Sequence, residues 1–182
     1  MQKNFRKFLG MPIRERLSKG LIGRVGDFIV NPANGEVVAF FTRRDKKLLL
    51  PTVDVFKVTA EVVWVENSDA LATPDEIIRV AEIIKLNIPI LRNKVFTVSR
   101  SYLGEVIDFR FETNGWILTK IEVAKRILGI PTERKLINSS QIIRIKSNEI
   151  TVRDAVVKVS GKKLREKEIA LNLTHATLKV DE

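Results

Sequence analysis

The sequence contains no cysteine, and His175 is the only histidine among its 182 residues. Without cysteine the chain can form no disulfide and offers no thiolate as a nucleophile or as a ligand for zinc or an iron–sulfur cluster. A histidine-based catalytic triad could use only His175, and no second histidine or cysteine exists to share a metal with it. We expect His175 to be a surface or interface residue. We therefore expect no metal, no cofactor and no enzyme, since catalysis would need an unusual carboxylate or lysine site that the sequence does not reveal.

Long apolar runs are also absent. The best apolar stretches are short, as at residues 37–41 and 48–50, whereas a membrane-spanning helix needs about 20 mostly apolar residues. The first nine residues are basic and lack the apolar segment and cleavage site of a secretory signal. We therefore expect a cytoplasmic protein.

Aromatic residues are scarce, at 7%, while 45% of the residues are hydrophobic and 30% are charged. This balance is typical of a globular chain with a buried core rather than a disordered one. A chain of this length forms one domain or two small ones.

Positive charge is in excess, since 32 lysines and arginines face 22 acidic residues, for a net charge of +10. The excess is clustered in the first 24 residues, at 43–47 and at 162–165. Together with one tryptophan, these clusters supply the candidate contacts to a protein partner or a nucleic acid. The candidates are Lys3, Arg6, Lys7, Arg14, Arg16, Arg43, Arg44, Lys46, Lys47, Trp116, Lys162, Lys163 and Arg165.

Clustered cations attract phosphates and acidic protein faces in a salt-sensitive way. We interpret the basic clusters first as solvated surface charge. The alternatives, in decreasing order of preference, are contact with RNA or the ribosome, contact with an acidic protein partner, and contact with a membrane surface. Phe5 and Phe8 beside Arg6 and Lys7 are the one obvious place where aromatic and basic residues interleave, as in proteins that stack unpaired bases.

Two segments of the chain repeat one motif. Residues 21–28, LIGRVGDF, match residues 102–109, YLGEVIDF, with the same Gly, Val, Asp and Phe in register. An Asn-Gly pair follows each copy, at 34–35 and 114–115, and LPTVDVFKV at 50–58 resembles INSSQIIRI at 137–145. A repeat at this spacing predicts two homologous units, residues 9–70 and 88–155.

Each unit has the pattern of β-structure. Apolar residues at 107, 109 and 111 alternate with charged ones, which is the period of a half-buried strand. An Asn-Gly pair between two such runs predicts a tight hairpin, because both residues tolerate positive φ. Further short strands are expected near 48–58, 62–65, 136–145 and 149–152. Several short strands in one small unit favour a barrel, because closure removes exposed edges.

One helix is predicted in the linker, residues 71–87. Thr73, Pro74 and Glu76 have the spacing of a capping box with proline at the first helical position. Apolar residues at 77, 80, 81 and 84 follow at helical spacing, and we expect this stripe to dock on one or both units and the helix to end before Pro89.

These motifs resemble the PRC-barrel family, whose signature is a Gly-x-Val-x-Asp strand, a hairpin with glycine, and a Leu-Pro stretch ending in Asp-Val. The second copy departs at the third element, where Asn138 and Gln141 replace proline and aspartate. The signature residues are Gly23, Asp27, Asn34, Gly35, Pro51, Asp54, Gly104, Asp108, Asn114 and Gly115.

The resemblance implies a mainly β fold, with two small PRC-like β-barrels in tandem joined by one α-helix, as in small two-barrel bacterial proteins. A basic segment, residues 1–8, precedes the barrels. A C-terminal extension, residues 156–182, follows them and has strand character, since apolar residues alternate along 169–173.

The family also implies a function. One member is a ribosome maturation factor, in which the barrel accompanies a second domain and binds ribosomal protein. Others are the cytoplasmic part of a photosynthetic reaction-centre subunit and archaeal single-barrel division adaptors. None of these branches uses the barrel as an enzyme. The resemblance therefore implies a non-catalytic adaptor or scaffold that binds protein through its barrel surfaces. The alternative is an RNA- or ribosome-associated module that uses the basic clusters. No small-molecule substrate is expected.

Other candidate chemistry has a structural interpretation. The glycines at 20, 23 and 26 lead into a strand rather than a helix, so they predict a turn and not a phosphate-binding loop. Asp27 and Asp108 recur in separate units and are expected to close turns rather than form an acid–base pair. Ser139 lacks the sequence context of a nucleophile. Trp116 follows a hairpin turn and is expected in the core, with an exposed anchor for a protein partner as the alternative.

Overall fold

The computed structural model describes residues 1–43, 45, 47–127 and 130–155. This part of the chain is mainly β, as predicted, with thirteen strands, two α-helices and four 3-10 turns. The strands are β1 (Gln2–Asn4), β2 (Pro12–Glu15), β3 (Leu21–Val30), β4 (Val37–Thr42), β5 (Leu49–Pro51), β6 (Val55–Val58), β7 (Val63–Val65), β8 (Lys94–Thr97), β9 (Tyr102–Glu112), β10 (Ile117–Ile127), β11 (Ile130–Asn138), β12 (Ile142–Ile145) and β13 (Glu149–Val152). The helices are α1 (Phe5–Phe8) and α2 (Ile78–Leu86), and the 3-10 turns are Thr52–Asp54, Ser68–Ala70, Pro74–Glu76 and Ser139–Gln141.

The two halves of the chain form sheets with the same strand order. The first sheet runs β5-β4-β3-β2-β7-β6 and the second runs β11-β10-β9-β8-β13-β12, with β1 added to β9. In each half the first strand pairs antiparallel with the next strand and parallel with the last one. We call residues 12–65 the first unit and residues 94–152 the second unit. The sequence repeat is thus matched by a repeat of topology.

The edges of each sheet are adjacent along the chain. In the first unit, β5 and β6 lie at opposite ends of the sheet and are joined by the 3-10 turn Thr52–Asp54; in the second, Ser139–Gln141 joins β11 to β12. No strand pair in the described residues connects these edges, so the hydrogen-bond ladders do not close either sheet into the expected barrel. A 3-10 turn bends the chain without folding it back into a hairpin, so the strands on either side do not exchange ladder bonds.

Both predicted hairpins are present. The Asn-Gly pairs connect β3 to β4 and β9 to β10, and the glycines have φ of 76° at Gly35 and 143° at Gly115. A positive φ costs glycine little because it has no Cβ, which explains why both turns carry it.

The linker contains the predicted capping box, but the box begins a 3-10 turn and not the α-helix. Thr73 donates from its backbone N–H and its hydroxyl to the Glu76 carboxylate. Ile77 then has extended φ and ψ, and α2 starts at Ile78. The helix ends at Leu86, followed by Asn87 in the left-handed region and then Pro89.

Helix α2 packs on the first unit. Its buried residue is Val80, which joins Ile29, Val38, Ala39 and Leu49 in a small apolar cluster. Beside this contact, Arg79 forms an ion pair with Glu36 in the β3–β4 hairpin. Of the apolar stripe predicted from the sequence, Val80, Ile84 and the preceding Ile77 pack in this cluster, together with Ile83.

The N-terminal segment lies between the two units. Strand β1 pairs with β9 of the second unit, and α1 then buries Phe5 and Phe8, which are 3% and 0% exposed. Phe5 stacks on Phe109 at 4.7 Å between ring centroids and meets Phe28 edge-on at 5.1 Å. Phe28 and Phe109 are the matching residues of the two units, and their rings are 5.9 Å apart. One apolar core thus spans both units, with the N-terminal segment inside it.

Backbone hydrogen bonds also join the units where their hairpins meet. Val37 N–H donates to the Trp116 carbonyl at 2.6 Å, and Leu118 N–H donates to the Gly35 carbonyl at 2.8 Å. Aromatic packing and main-chain bonding therefore hold the units together at the same place.

Candidate functional site

Signature residues of the second unit have structural roles. The Asp108 carboxylate is buried and accepts hydrogen bonds from the backbone N–H groups of Phe109, at 2.8 Å, and Arg6, at 3.3 Å. It thereby holds the N-terminal segment against β9. Its counterpart Asp27 is exposed, and the described residues donate no hydrogen bond to its side chain. The repeated aspartates are therefore not equivalent.

The remaining signature positions belong to turns and strand ends. The Asn34 side chain accepts from Glu36 N–H at 3.0 Å within the first hairpin turn. Pro51 is buried at the end of β5, whereas Asn138, which replaces it in the second unit, is exposed. Asn114 is exposed in the second hairpin turn.

Three of the basic candidates near the N-terminus are held by residues 50 or more positions away in the chain. The Lys3 ammonium donates to the carbonyls of Thr59 and Ala60 at 2.9 and 3.3 Å. The Arg6 guanidinium donates to the Ile107 carbonyl at 3.1 Å. Each contact ties the N-terminal segment to one of the units. The third is Arg16, whose ion pair with Glu66 is described below.

The other basic candidates are spread over the surface. The Arg14 guanidinium donates to the Lys19 carbonyl at 2.7 Å within its own turn. Lys7, Arg43 and Lys47 are exposed. The predictions for Arg44, Lys46, Lys162, Lys163, Arg165, His175 and the strands of residues 156–182 lie outside the described residues.

Trp116 packs into the shared core. Its ring stacks on Phe111 at 5.8 Å with 13° between the planes and meets Phe8 at 6.0 Å and Phe40 at 5.9 Å. The residue is half-buried with φ of 50°. The structural interpretation of Trp116 therefore fits better than that of an exposed anchor.

The structure brings together a groove that the sequence did not reveal. It has a volume of about 390 Å³ and is lined by the 3-10 turn after β5, the start of β6 and the segment after β7. We call it the first-unit groove. Its lining residues are Val53, Asp54, Val55, Phe56, Glu66, Asn67, Asp69 and Ala70.

The rim of the first-unit groove exposes two large apolar side chains. Val53 is 87% exposed and Phe56 is 51% exposed. Scattered exposed apolar residues are ordinary on protein surfaces, but two of them at one concavity form a surface that another molecule can cover. Adjacent Val55 and Phe56 are the sequence signal, because neighbours along a strand point to opposite faces and only one can face the core.

Arg16 contacts two of the residues that line the first-unit groove, Phe56 and Glu66. Its guanidinium lies 4.4 Å from the centroid of the Phe56 ring, and one of its nitrogens is 2.9 Å from a carboxylate oxygen of Glu66. A cation over an aromatic face is attracted by the ring's electron density, and here a carboxylate adds an ion pair. In the described residues neither Asp54 nor Asp69 has a side-chain partner.

Shifted pKa values occur elsewhere and have local causes. Hydrogen bonds from Thr73 lower the pKa of Glu76, and hydrogen bonds from Ser99 lower the pKa of Asp154. Burial, and to a lesser extent the charge of Glu105, raise the pKa of Tyr102. These groups cap turns or line strands away from the first-unit groove.

Comparisons with known proteins identify no relative: no family model matches the chain, and no curated protein matches it. No helix in the described ranges is long and apolar enough to cross a membrane. Within the same ranges, no three histidine, cysteine or acidic side chains are grouped closely enough to hold a metal ion.

Proposed function

We propose that the chain is a tandem of two PRC-like units joined by α2, and that it acts as a non-catalytic adaptor binding a protein partner. The repeated strand order supports the tandem, and the short turn between the edges of each sheet supports a barrel-like curvature. The absence of cysteine and the single histidine in the sequence fit a protein that binds rather than catalyses.

The observation that carries the proposed function is the exposed pair Val53 and Phe56 at the first-unit groove. Aromatic side chains seated in a concavity are frequent anchors of protein interfaces, and their removal costs about 2 kcal/mol of binding or more. Their burial by a partner also gains about 25 cal/mol for each Å² of apolar surface covered.

The test is affinity capture from lysate of the source cells with three baits: the wild-type chain, Phe56→Ala and Ile143→Ala. Ile143 is 55% exposed and is the matched control, because it occupies the position of Phe56 in the second unit. We expect a protein that the wild type and Ile143→Ala retain, that Phe56→Ala loses, and that withstands ribonuclease. The purified partner should then bind the wild type directly in calorimetry. Capture that does not depend on Phe56 would contradict this assignment.

RNA binding is the second candidate, and one observation favours it. The Arg24 guanidinium donates to the Gly10 carbonyl at 3.1 Å, and Arg43 is bonded through its backbone N–H to the Arg24 carbonyl at 2.7 Å. A Cβ added at Gly10 would lie 3.1 Å from the Arg43 guanidinium, so both guanidinium groups lie beside Gly10, an arrangement that suits contacts to phosphates. In the same capture, material that ribonuclease releases and that falls steeply with salt would favour this candidate over the adaptor.

A further inference from the structure

We propose that the first-unit groove binds a segment of a protein partner that carries a basic side chain next to an apolar one, and that the second unit does not bind such a segment. The inference rests on the proposed function, since it names the partner chemistry of the same surface. Three observations support the inference: the shape of the groove, its charge, and the difference between the two units at the corresponding positions.

The apolar part of the groove indicates that the partner carries an apolar side chain. Val53 and Phe56 stand at its rim, and their exposed surface can be covered only by another apolar group without leaving polar atoms unpaired. An apolar side chain of the partner, inserted between them, would displace water from both.

The acidic part of the groove selects the second feature. Asp54, Glu66 and Asp69 all line it, on a chain whose net charge is +10. Glu66 is engaged by Arg16, which leaves the carboxylates of Asp54 and Asp69 available. Negative charge concentrated in one concavity of a basic protein attracts cationic segments and repels acidic ones.

Arg16 provides an example of the binding mode within the chain. Its guanidinium covers one face of Phe56 and bonds Glu66, so the groove already pairs a cation with an aromatic ring and a carboxylate. A lysine or arginine of the partner would repeat this arrangement with Asp54 or Asp69.

The second unit presents different chemistry at the corresponding positions. The correspondence follows from the hydrogen-bond register, because Ile13 pairs with Val63 in the first unit as Val95 pairs with Ile150 in the second. The counterparts of Val53, Asp54, Phe56, Glu66 and Arg16 are Ser140, Gln141, Ile143, Arg153 and Val98. One apolar rim position, that of Val53, carries the polar Ser140, whereas Ile143 at the position of Phe56 is apolar and exposed. Of the carboxylates, Asp54 corresponds to the neutral Gln141 and Glu66 to the cation Arg153. The named counterparts in the second unit thus include no carboxylate that would attract a basic segment.

The experiment measures fluorescence anisotropy of labelled octapeptides with the full-length chain at low salt. The probes alternate leucine with arginine, leucine with glutamate, and serine with arginine. We expect the leucine–arginine peptide to bind, and each of the other two to bind at least tenfold more weakly. Phe56→Ala should weaken binding about tenfold or more, and the double variant Asp54→Asn, Asp69→Asn about three- to tenfold. Ile143→Ala should leave binding within about twofold.

Three results would overturn the inference. The leucine–glutamate peptide could bind as well as the leucine–arginine one, Ile143→Ala could weaken binding as much as Phe56→Ala, or the wild type could bind none of the probes. Two further controls identify other occupants of the groove. Concentration-dependent dimers that Phe56→Ala abolishes would assign it to a second copy. Displacement of the probe by a synthetic peptide of residues 156–182, at equal or higher affinity, would assign it to this chain's own C-terminal segment.

The capture and the peptide-binding experiments together distinguish a failure of this inference from a failure of the proposed function. A captured protein that depends on Phe56, combined with peptide binding that ignores charge, would retain the adaptor and reject the basic partner. Loss of both the Phe56-dependent capture and the peptide binding would reject both. The melting temperature of each variant, expected to match the wild type for these exposed positions, shows that a loss of binding is not a loss of fold.

Discussion

Gly104 and Gly23 occupy matching positions in the two units, yet only Gly104 lacks room for a side chain. At Gly104 the backbone has φ of 127°, and a Cβ would lie 2.3 Å from the Ala124 carbonyl oxygen on the neighbouring strand. At Gly23 the nearest atom to an added Cβ is the Thr42 methyl group at 3.4 Å, an ordinary contact. The backbone therefore requires glycine at position 104, whereas position 23 can accept a small side chain.

Gly104→Ala is expected to lower the free energy of unfolding by about 3 kcal/mol or more, because it adds backbone strain and a clash with main-chain atoms. Gly23→Ala is the matched control and should change it by less than about 1 kcal/mol. Urea denaturation of the two variants provides the measurement. Equal losses in both would show that the close approach at Gly104 has no energetic consequence.

The capping box shows how an element can be specified by local residues and still differ from expectation. The Thr73–Glu76 hydrogen bonds form as the spacing predicts, but they begin a one-turn 3-10 segment, and α2 starts two residues further on. Extended backbone at Ile77 separates the two, and Ile77 itself packs on the apolar cluster beneath α2. Packing against the first unit thus decides where the α-helix begins.

Glu76→Gln tests the electrostatic part of this cap. The Thr73 hydrogen bonds hold the pKa of Glu76 below its ordinary value of 4.5. The contribution of the Glu76 carboxylate to stability is therefore complete above pH 4.5 and is lost as pH falls through the lowered pKa. The wild type should therefore be more stable than Glu76→Gln at pH 7, and the difference should shrink towards pH 3. Urea midpoints at both pH values provide the measurement.

Asp75→Asn is the control for this pH dependence, since the described residues donate no hydrogen bond to the Asp75 side chain. Its difference from the wild type should vary less between pH 3 and pH 7. A Glu76→Gln difference that stays constant across this range would argue against a role for the ionised carboxylate.

At the scale of the whole molecule, the two units share one core and are expected to unfold together. Phe8 is fully buried and touches rings of both units, including Phe28 at 5.6 Å and Phe111 at 5.2 Å. Two homologous sequences could have folded as separate domains. The aromatic side chains between them, and the hairpin bonds beside these, make separation of the units costly.

Phe8→Ala should lower the free energy of unfolding by about 3–5 kcal/mol, since it opens a cavity in the shared core. Phe56→Ala, at an exposed phenylalanine, should cost less than about 1 kcal/mol. Urea denaturation of the two variants measures the difference.

Joint unfolding of the units is tested by urea denaturation of Trp64→Phe and Trp116→Phe. The first variant leaves Trp116 as the reporter of the shared core, and the second leaves Trp64 as the reporter of the first unit. Coincident curves are expected. Separated midpoints would show that the units are independent.

The fold was predictable to the extent that neighbouring residues determine it. The repeat, the two Asn-Gly hairpins, the mainly β composition and the end of α2 before Pro89 all follow from spacings of a few residues. Closure of the barrels was not predictable in the same way, because a ladder between edge strands depends on their final distance and angle. The pattern of short strands indicates a mainly β fold and leaves the closure of the sheets open.

The candidate surface was less predictable than the fold. The basic N-terminal cluster stands out in the sequence, yet Lys3 and Arg6 are held by Thr59, Ala60 and Ile107, which are 56 to 101 residues away. The groove was missed because its parts are distant in the chain, as with Arg16 and Glu66, 50 residues apart. The adjacent apolar residues Val55 and Phe56 are the one local sequence signal of the groove.

The sequence by itself determined the repeat, the hairpin turns and the class of the fold, because periodicity and turn residues act between near neighbours. The tertiary structure decided that the N-terminal segment joins the two units, that Asp108 and Asp27 differ in role, and that Asp54, Phe56, Glu66 and Asp69 of the first unit line one groove. Charge, exposure and partners of a side chain depend on what folding brings next to it. Identical motifs therefore acquired different surroundings, and we infer different functions, in the two halves of one chain.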